Sequence, residues 1–333
     1  MNVDKWISEI IATRERCTVP IMTHPGIEMI GATVKEAVRN GKKHAQAIHE
    51  LSKKYPSKAA TVIMDLTVEA EAFGSSIAFP ENDMPHILGN LVDSEGIEKL
   101  QIPSLSSGRI PEYILANKMA VEMIKDKPVF AGAIGPFSLA GRLYGMSEIM
   151  VACYLEPDAI ALLLDKCSRF IENYCMELKR TGCAGVIIAE PAAGLLSNED
   201  CLQFSSLYIK NIIDKVQDDS FMVVLHNCGN TGQCTDAMIH TGAKAYHFGN
   251  AVSMVEVLRQ CPGDTLVMGN IDPVGVLRMM SPAEIEKEVT SLLEQTAEFP
   301  NFVLSTGCDL PPCVPAENIQ AYYHALSAFN HRI

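Results

Sequence analysis

Phe221-Met222-Val223-Val224-Leu225-His226-Asn227-Cys228-Gly229 is the stretch on which the fold turns. Five apolar residues without alternation fit a strand covered on both faces, as in a parallel sheet flanked by helices. The run then ends abruptly in polar residues. On a strand, residues i and i+2 face the same way, so His226 and Cys228 can converge on one point.

Seven similar runs lie outward from this one, at 19–22, 61–64, 128–133, 185–189, 243–248, 265–268 and 301–305. Helix signals separate them. Thr33 and Glu36 form a capping box, and Ser281-Pro282-Ala283-Glu284 forms a second with proline at the first helical position. Pro157 opens a long helix and Pro315 the last one, which should end near Phe329. Eight strands alternating with helices predict an α/β fold, a (β/α)8 TIM barrel. The first 18 residues are expected to form a short N-terminal helical extension, and residues 1–333 a single domain without a linker. A doubly wound open sheet is the alternative, because periodicity does not show closure. Neither Gly-x-Gly-x-x-Gly nor Gly-x-x-x-x-Gly-Lys-Ser/Thr supports it.

Composition narrows the function. With 333 residues, 48% of them hydrophobic, the chain can bury a large core. A net charge of -13 argues against nucleic acid. No apolar stretch is long enough to span a bilayer, so no membrane association is expected. The first residues lack the layout of a secretion signal, and eleven cysteines then imply reduced thiols and a cytoplasmic location. Most are expected to be small core residues: Cys17, Cys153, Cys167, Cys175, Cys183, Cys201 and Cys261. Cys234 and Cys313 are read as spare thiols on loops, and His44, His49, His240 and His324 as surface residues of helices.

Nearly every run ends in chemistry: Thr23-His24, Asp65, Gly135-Pro136, Glu190, His226-Asn227-Cys228, His247, Asn270-Ile271-Asp272 and Cys308-Asp309. In a barrel these ends share the C-terminal face, where catalytic residues sit. His226, Cys228 and Cys308 make a Cys2His set suited to a zinc ion with one open position. The competing reading is two buried thiols beside a hydrogen-bonded histidine. Such a metal centre favours a zinc-bound thiolate attacking an electrophilic carbon over water activation. Glu190 is a candidate fourth or exchangeable ligand, or a capping carboxylate. Asp65 and Glu69 could orient a ligand or substrate, or start a helix. His247 is a candidate partner of a metal ligand. Arg142 could bind an anionic substrate tail or pair with a carboxylate, and Asp272 is a candidate substrate contact.

At these residues the chain resembles the uroporphyrinogen decarboxylase superfamily. The matching stretches are 19–31, 65–74, 132–141, 226–229, 269–273 and 306–312. That superfamily has a decarboxylase branch and a branch of methyltransferases working between a corrinoid protein and a thiol such as coenzyme M. The decarboxylases hold their substrate with two arginines in Arg-Gln-Ala-Gly-Arg-Tyr. The corresponding Thr23-His24-Pro25-Gly26-Ile27-Glu28 has neither. Asp65 matches an aspartate of the decarboxylases. Arg142 lies near the position of their tyrosine, and Cys308 replaces their histidine. His226-Asn227-Cys228 with Cys308 resembles the zinc signature of the methyltransferases. The resemblance therefore implies zinc, a methylcobamide on a corrinoid-binding partner protein, and a small-molecule thiol. It implies in-line transfer of the methyl group between corrinoid and zinc-bound thiolate, in either direction. Decarboxylation is the runner-up. Cobalamin-independent methionine synthases share the His-x-Cys pattern, but they carry a downstream glutamate ligand that 246–250 does not supply. A non-catalytic metal- or corrinoid-binding protein is the remaining alternative.

Overall fold

The computed structural model describes residues 1–332. Its strands are β1 (Ala60–Thr61), β2 (Ser76–Ala78), β3 (His86–Leu88), β4 (Val129–Ile134), β5 (Gly185–Ala189), β6 (Met222–Asn227), β7 (Ala245–Phe248), β8 (Leu266–Ile271) and β9 (Phe302–Thr306). Seven of them form one parallel sheet in the order β1-β4-β5-β6-β7-β8-β9, which is chain order with helices between. The pair β2 and β3 is a separate antiparallel ribbon that the sequence reading missed. Its members are only three residues each, too short to carry a periodic signal.

The run at 19–22 is extended but is not a ladder strand, because Pro20 has no N–H to donate. It nevertheless fills the eighth place. Thr18 bridges Leu304 in parallel, Val19 N donates to Leu304 O at 3.0 Å, and Leu304 N donates to Cys17 O at 3.1 Å. On its other side Lys58 N donates to Thr18 O at 2.8 Å, and Thr61 Oγ1 donates to Pro20 O at 3.4 Å. Segment 17–22 thus joins β9 to β1 and closes the barrel. The predicted (β/α)8 architecture is the observed one, with one stave held largely by side chains and irregular bonds.

Alternation along β6 divides the core. Met222 and Val224 face an inner cluster with Val19, Ile21, Phe130, Ala245, Leu266, Met268 and Val303. Val223 and Leu225 face the outer layer between sheet and helices. Helix α1 (Val3–Ala12) supplies Val3, Trp6, Ile7 and Ile10 to the inner cluster, and the Trp6 ring lies 5.8 Å from that of Phe130. Val3 N donates to Asp219 O just before β6, at 2.6 Å. The expected N-terminal extension is therefore a stopper at the N-terminal end of the barrel. Chemistry is left to the opposite end.

Both capping boxes form as read, and the long helix spans Pro157–Arg180. The last helix is Ala316–Asn330 with Pro315 at its N-cap. One histidine departs from expectation. His44 is buried rather than at the surface, and its Nε2 accepts from Ile63 N at 3.0 Å. Burial pushes its pKa down to about 3, so the ring is a neutral core acceptor. Among the described residues no helix is long and apolar enough to cross a membrane.

Candidate metal centre

His226 shares the inward face of Met222 and Val224, and Cys228 follows two residues later at the strand end. The turn that places Cys228 is built by Asn227, whose Oδ1 accepts from Gly229 N at 3.0 Å and Asn230 N at 2.9 Å. Cys308 arrives from the end of β9, where Gly307 N donates to Ile271 O at 2.7 Å. Its neighbour Asp309 accepts from Thr23 N at 2.6 Å and ties the ligand loop to the closing segment. The ligand atoms of His226, Cys228 and Cys308 all lie within 4.8 Å of one another. A three-donor set of this composition fits a tetrahedral zinc site with one place open.

The thiols interact before any metal arrives. Cys308 hydrogen-bonds Cys228 and so lowers the Cys228 pKa, while the same bond raises that of Cys308. Gly249 keeps the space behind Cys228 tight. A Cβ there would lie 2.8 Å from Cys228 Cα, so the loop after β7 can press on the ligand only through a glycine.

His247 takes the place expected of a ligand's partner. It pairs with His226 in register across β6 and β7, and the two Nδ1 atoms are 2.7 Å apart. Its Nε2 lies 2.8 Å from Ser305 Oγ on β9. Burial and the neighbouring His226 push its pKa well below the ordinary histidine value. Ser305 was not a sequence candidate. A serine inside an apolar run gives no signal until its strand register is known.

The other carboxylate candidates have partners of their own. Glu190 is not brought to the cluster. Its carboxylate sits at the N-terminus of helix α2 (Pro136–Tyr144), accepting from Phe137 N at 2.7 Å, Ser138 N at 2.8 Å and Ser205 Oγ at 3.0 Å. Both oxygens are occupied, so the capping alternative is the observed one. Burial still raises its pKa. Asp65 is bound to Arg109, which also pairs with Glu71, and Asp65 Oδ1 accepts from Thr67 N and Oγ1 at 2.9 and 2.7 Å. Burial alone would lower the Arg109 pKa, but the two carboxylates outweigh it and raise it. Arg109 was missed, since a lone arginine before a helix announces nothing in sequence. Asp65 is thus a structural ion-pair member. Asp272 Oδ1 caps its own turn, accepting from Val274 N and Gly275 N, each at 2.8 Å.

Glu69 is buried, with Oε1 accepting from Ile134 N at 3.0 Å and Oε2 unpartnered. Burial pushes its pKa up to about 7. Arg142 on α2 is half-buried, and among the described residues no carboxylate lies within ion-pair distance of it. Desolvation lowers its pKa, and the charges of Asp65 and Glu69 act against that shift. Cys234 is buried rather than on an open loop, in contact with Cys201, whereas Cys313 is exposed.

The sequence profile of the family described as uroporphyrinogen decarboxylase (URO-D) matches residues 16–329. The methylcobamide:CoM methyltransferase MtbA of Methanosarcina mazei is 28% identical over 309 residues, covering 91% of this chain and 89% of the relative. A uroporphyrinogen decarboxylase of Legionella pneumophila is 25% identical over 282 residues, covering 82% and 79%. A solved methyltransferase structure from Methanosarcina mazei superimposes with a TM-score of 0.88 over 99% of both chains, at 22% identity, and so shares the fold. The chain belongs to the uroporphyrinogen decarboxylase (URO-D) family.

Proposed function

We propose that this protein is a methyltransferase that moves a methyl group between a corrinoid and a small thiol, using zinc held by His226, Cys228 and Cys308. The observation that carries the reading is the convergence of those three ligand atoms at the C-terminal end of a closed barrel. A zinc ion there would bind the substrate thiol in the open position and lower its pKa, so that sulfur is presented as thiolate.

The chain's own residues supply the rest. His247 holds the His226 ring, and the Asn227 turn aims Cys228. Arg142 offers an uncommitted cation for an anionic tail on the thiol. The corrinoid is carried by a partner protein that docks over the same face. In the forward direction the methyl carbon leaves cobalt for sulfur, cobalt keeps both electrons of the broken bond, and the thiol proton is released. The MtbA relatives, named for methylcobamide and CoM, support this assignment. Decarboxylation is disfavoured by residues 23–28. His24, Pro25, Gly26 and Ile27 are buried in a helix, and the stretch holds no arginine or lysine for an acidic tetrapyrrole.

The test joins metal analysis with turnover. Native protein should hold about one zinc per chain, and Cys228→Ser and Cys308→Ser should each lose it. Anaerobic incubation with methylcobalamin and a panel of thiols should bleach the methyl–cobalt absorption with at least one thiol. Full zinc retention in either variant removes that cysteine from the site. Native protein with zinc but no thiol-dependent bleaching leaves a metal-binding protein without this activity.

A further inference from the structure

A hydrogen-bonded chain runs behind His226, and its far end has only one polarity. Ser305 Oγ lies 2.8 Å from Val19 O, and a carbonyl oxygen only accepts. The single Ser305 hydroxyl proton is therefore committed to Val19. His247 Nε2, 2.8 Å from the same Oγ, must then donate. The buried His247 ring has no carboxylate among its hydrogen-bond partners and is neutral, so it carries one N–H and its Nδ1 is a lone pair. His226 Nδ1, 2.7 Å from that lone pair, must donate into it. The lone pair of His226 is left on Nε2.

We propose that Ser305 is a positioning residue which, by directing its proton to Val19 O, sets the tautomers of His247 and His226 and makes His226 Nε2 the metal-ligating atom. The opposite polarity would face His247 Nε2 and Ser305 Oγ as two acceptors with no proton between them. It would also place an N–H on His226 Nε2, where no metal could bind. Closure of the barrel and preparation of the ligand are thus one device. The irregular stave with Pro20 leaves Val19 O to a side chain of β9, and Thr306 Oγ1 similarly accepts from Ile21 N at 3.1 Å.

The consequence for metal binding rests on the zinc reading, but the tautomers belong to the metal-free protein and are measured there. Long-range 1H–15N correlation on histidine-labelled, metal-free protein should show His226 protonated on Nδ1 and His247 on Nε2, with signals assigned from His226→Gln and His247→Gln. Ser305→Ala should mix the tautomers and weaken Zn2+ affinity about tenfold in chelator competition, whereas Ser305→Thr should keep both near native. Finding His226 protonated on Nε2 in the native protein overturns the proposal. So does a folded Ser305→Ala protein with unchanged tautomers and affinity. If Ser305→Ala does not fold, the native tautomers decide. If native protein binds no Zn2+, the zinc reading fails while the tautomer result stands by itself.

Discussion

Single residues here divide into those tied by partners and those left open. Asp65, Asp272 and Glu190 each accept hydrogen bonds from neighbouring backbone N–H groups, so all three have a role in local structure. Arg142 is the open one. Arg142→Ala should raise KM for an anionic thiol by about tenfold, the equivalent of ~1.4 kcal/mol, and leave a neutral thiol little changed. Equal losses with both thiols would count against a charge-specific role. Glu69 gives a pH prediction. Its folded pKa, about 7, stands above the ordinary 4.5 because of burial. Below about 4.5 both folded and unfolded forms are protonated and nothing is lost. As pH rises through 7, the folded state must ionise a buried carboxyl, a penalty of about 3 kcal/mol. Thermal melts at pH 5 and pH 8 should show the native protein losing more stability than Glu69→Gln as pH rises. Parallel behaviour would mean that the carboxyl titrates normally.

At the scale of elements, strand ends and helix starts are coupled. Glu190 leaves β5 and caps α2, joining the fourth wall of the barrel to the helix that carries Arg142. Glu190→Ala strands buried N–H groups and should cost about 3 kcal/mol in urea unfolding, with Glu190→Gln costing less. Zinc content should be unchanged in both, because the carboxylate is held by α2 and Ser205 and is not part of the group of converging ligand atoms. Loss of zinc from folded Glu190→Gln would restore the carboxylate as a ligand. Elements were legible where their apolar runs are long. The runs at 185–189 and 301–305 became β5 and β9 almost residue for residue. The run at 19–22 was legible as extended chain, but only its neighbours show that side chains and irregular bonds hold it in the barrel.

For the whole molecule, the division of labour is between a plugged end and an open end. Helix α1 fills the N-terminal mouth with Trp6 packed near Phe130. Trp6→Ala should cost about 3–5 kcal/mol in denaturant unfolding and leave the folded protein's zinc content intact, since the helix touches the barrel far from the ligands. Selective loss of metal without loss of stability would contradict that separation.

Sequence alone determined the alternation of strands and helices and the shared facing of His226 and Cys228, because period and i, i+2 spacing are properties of a local backbone, whereas the meeting of that pair with Cys308 needed the closed barrel. It also showed which substrate-binding arginines are absent. Tertiary structure decided barrel closure, the capping role of Glu190, the Asp65–Arg109 pair and the relay from Ser305 through His247 to His226. These depend on strand register and on which polar atoms must find partners once water is excluded. Contacts between residues far apart in the chain leave no trace in its local periodicity.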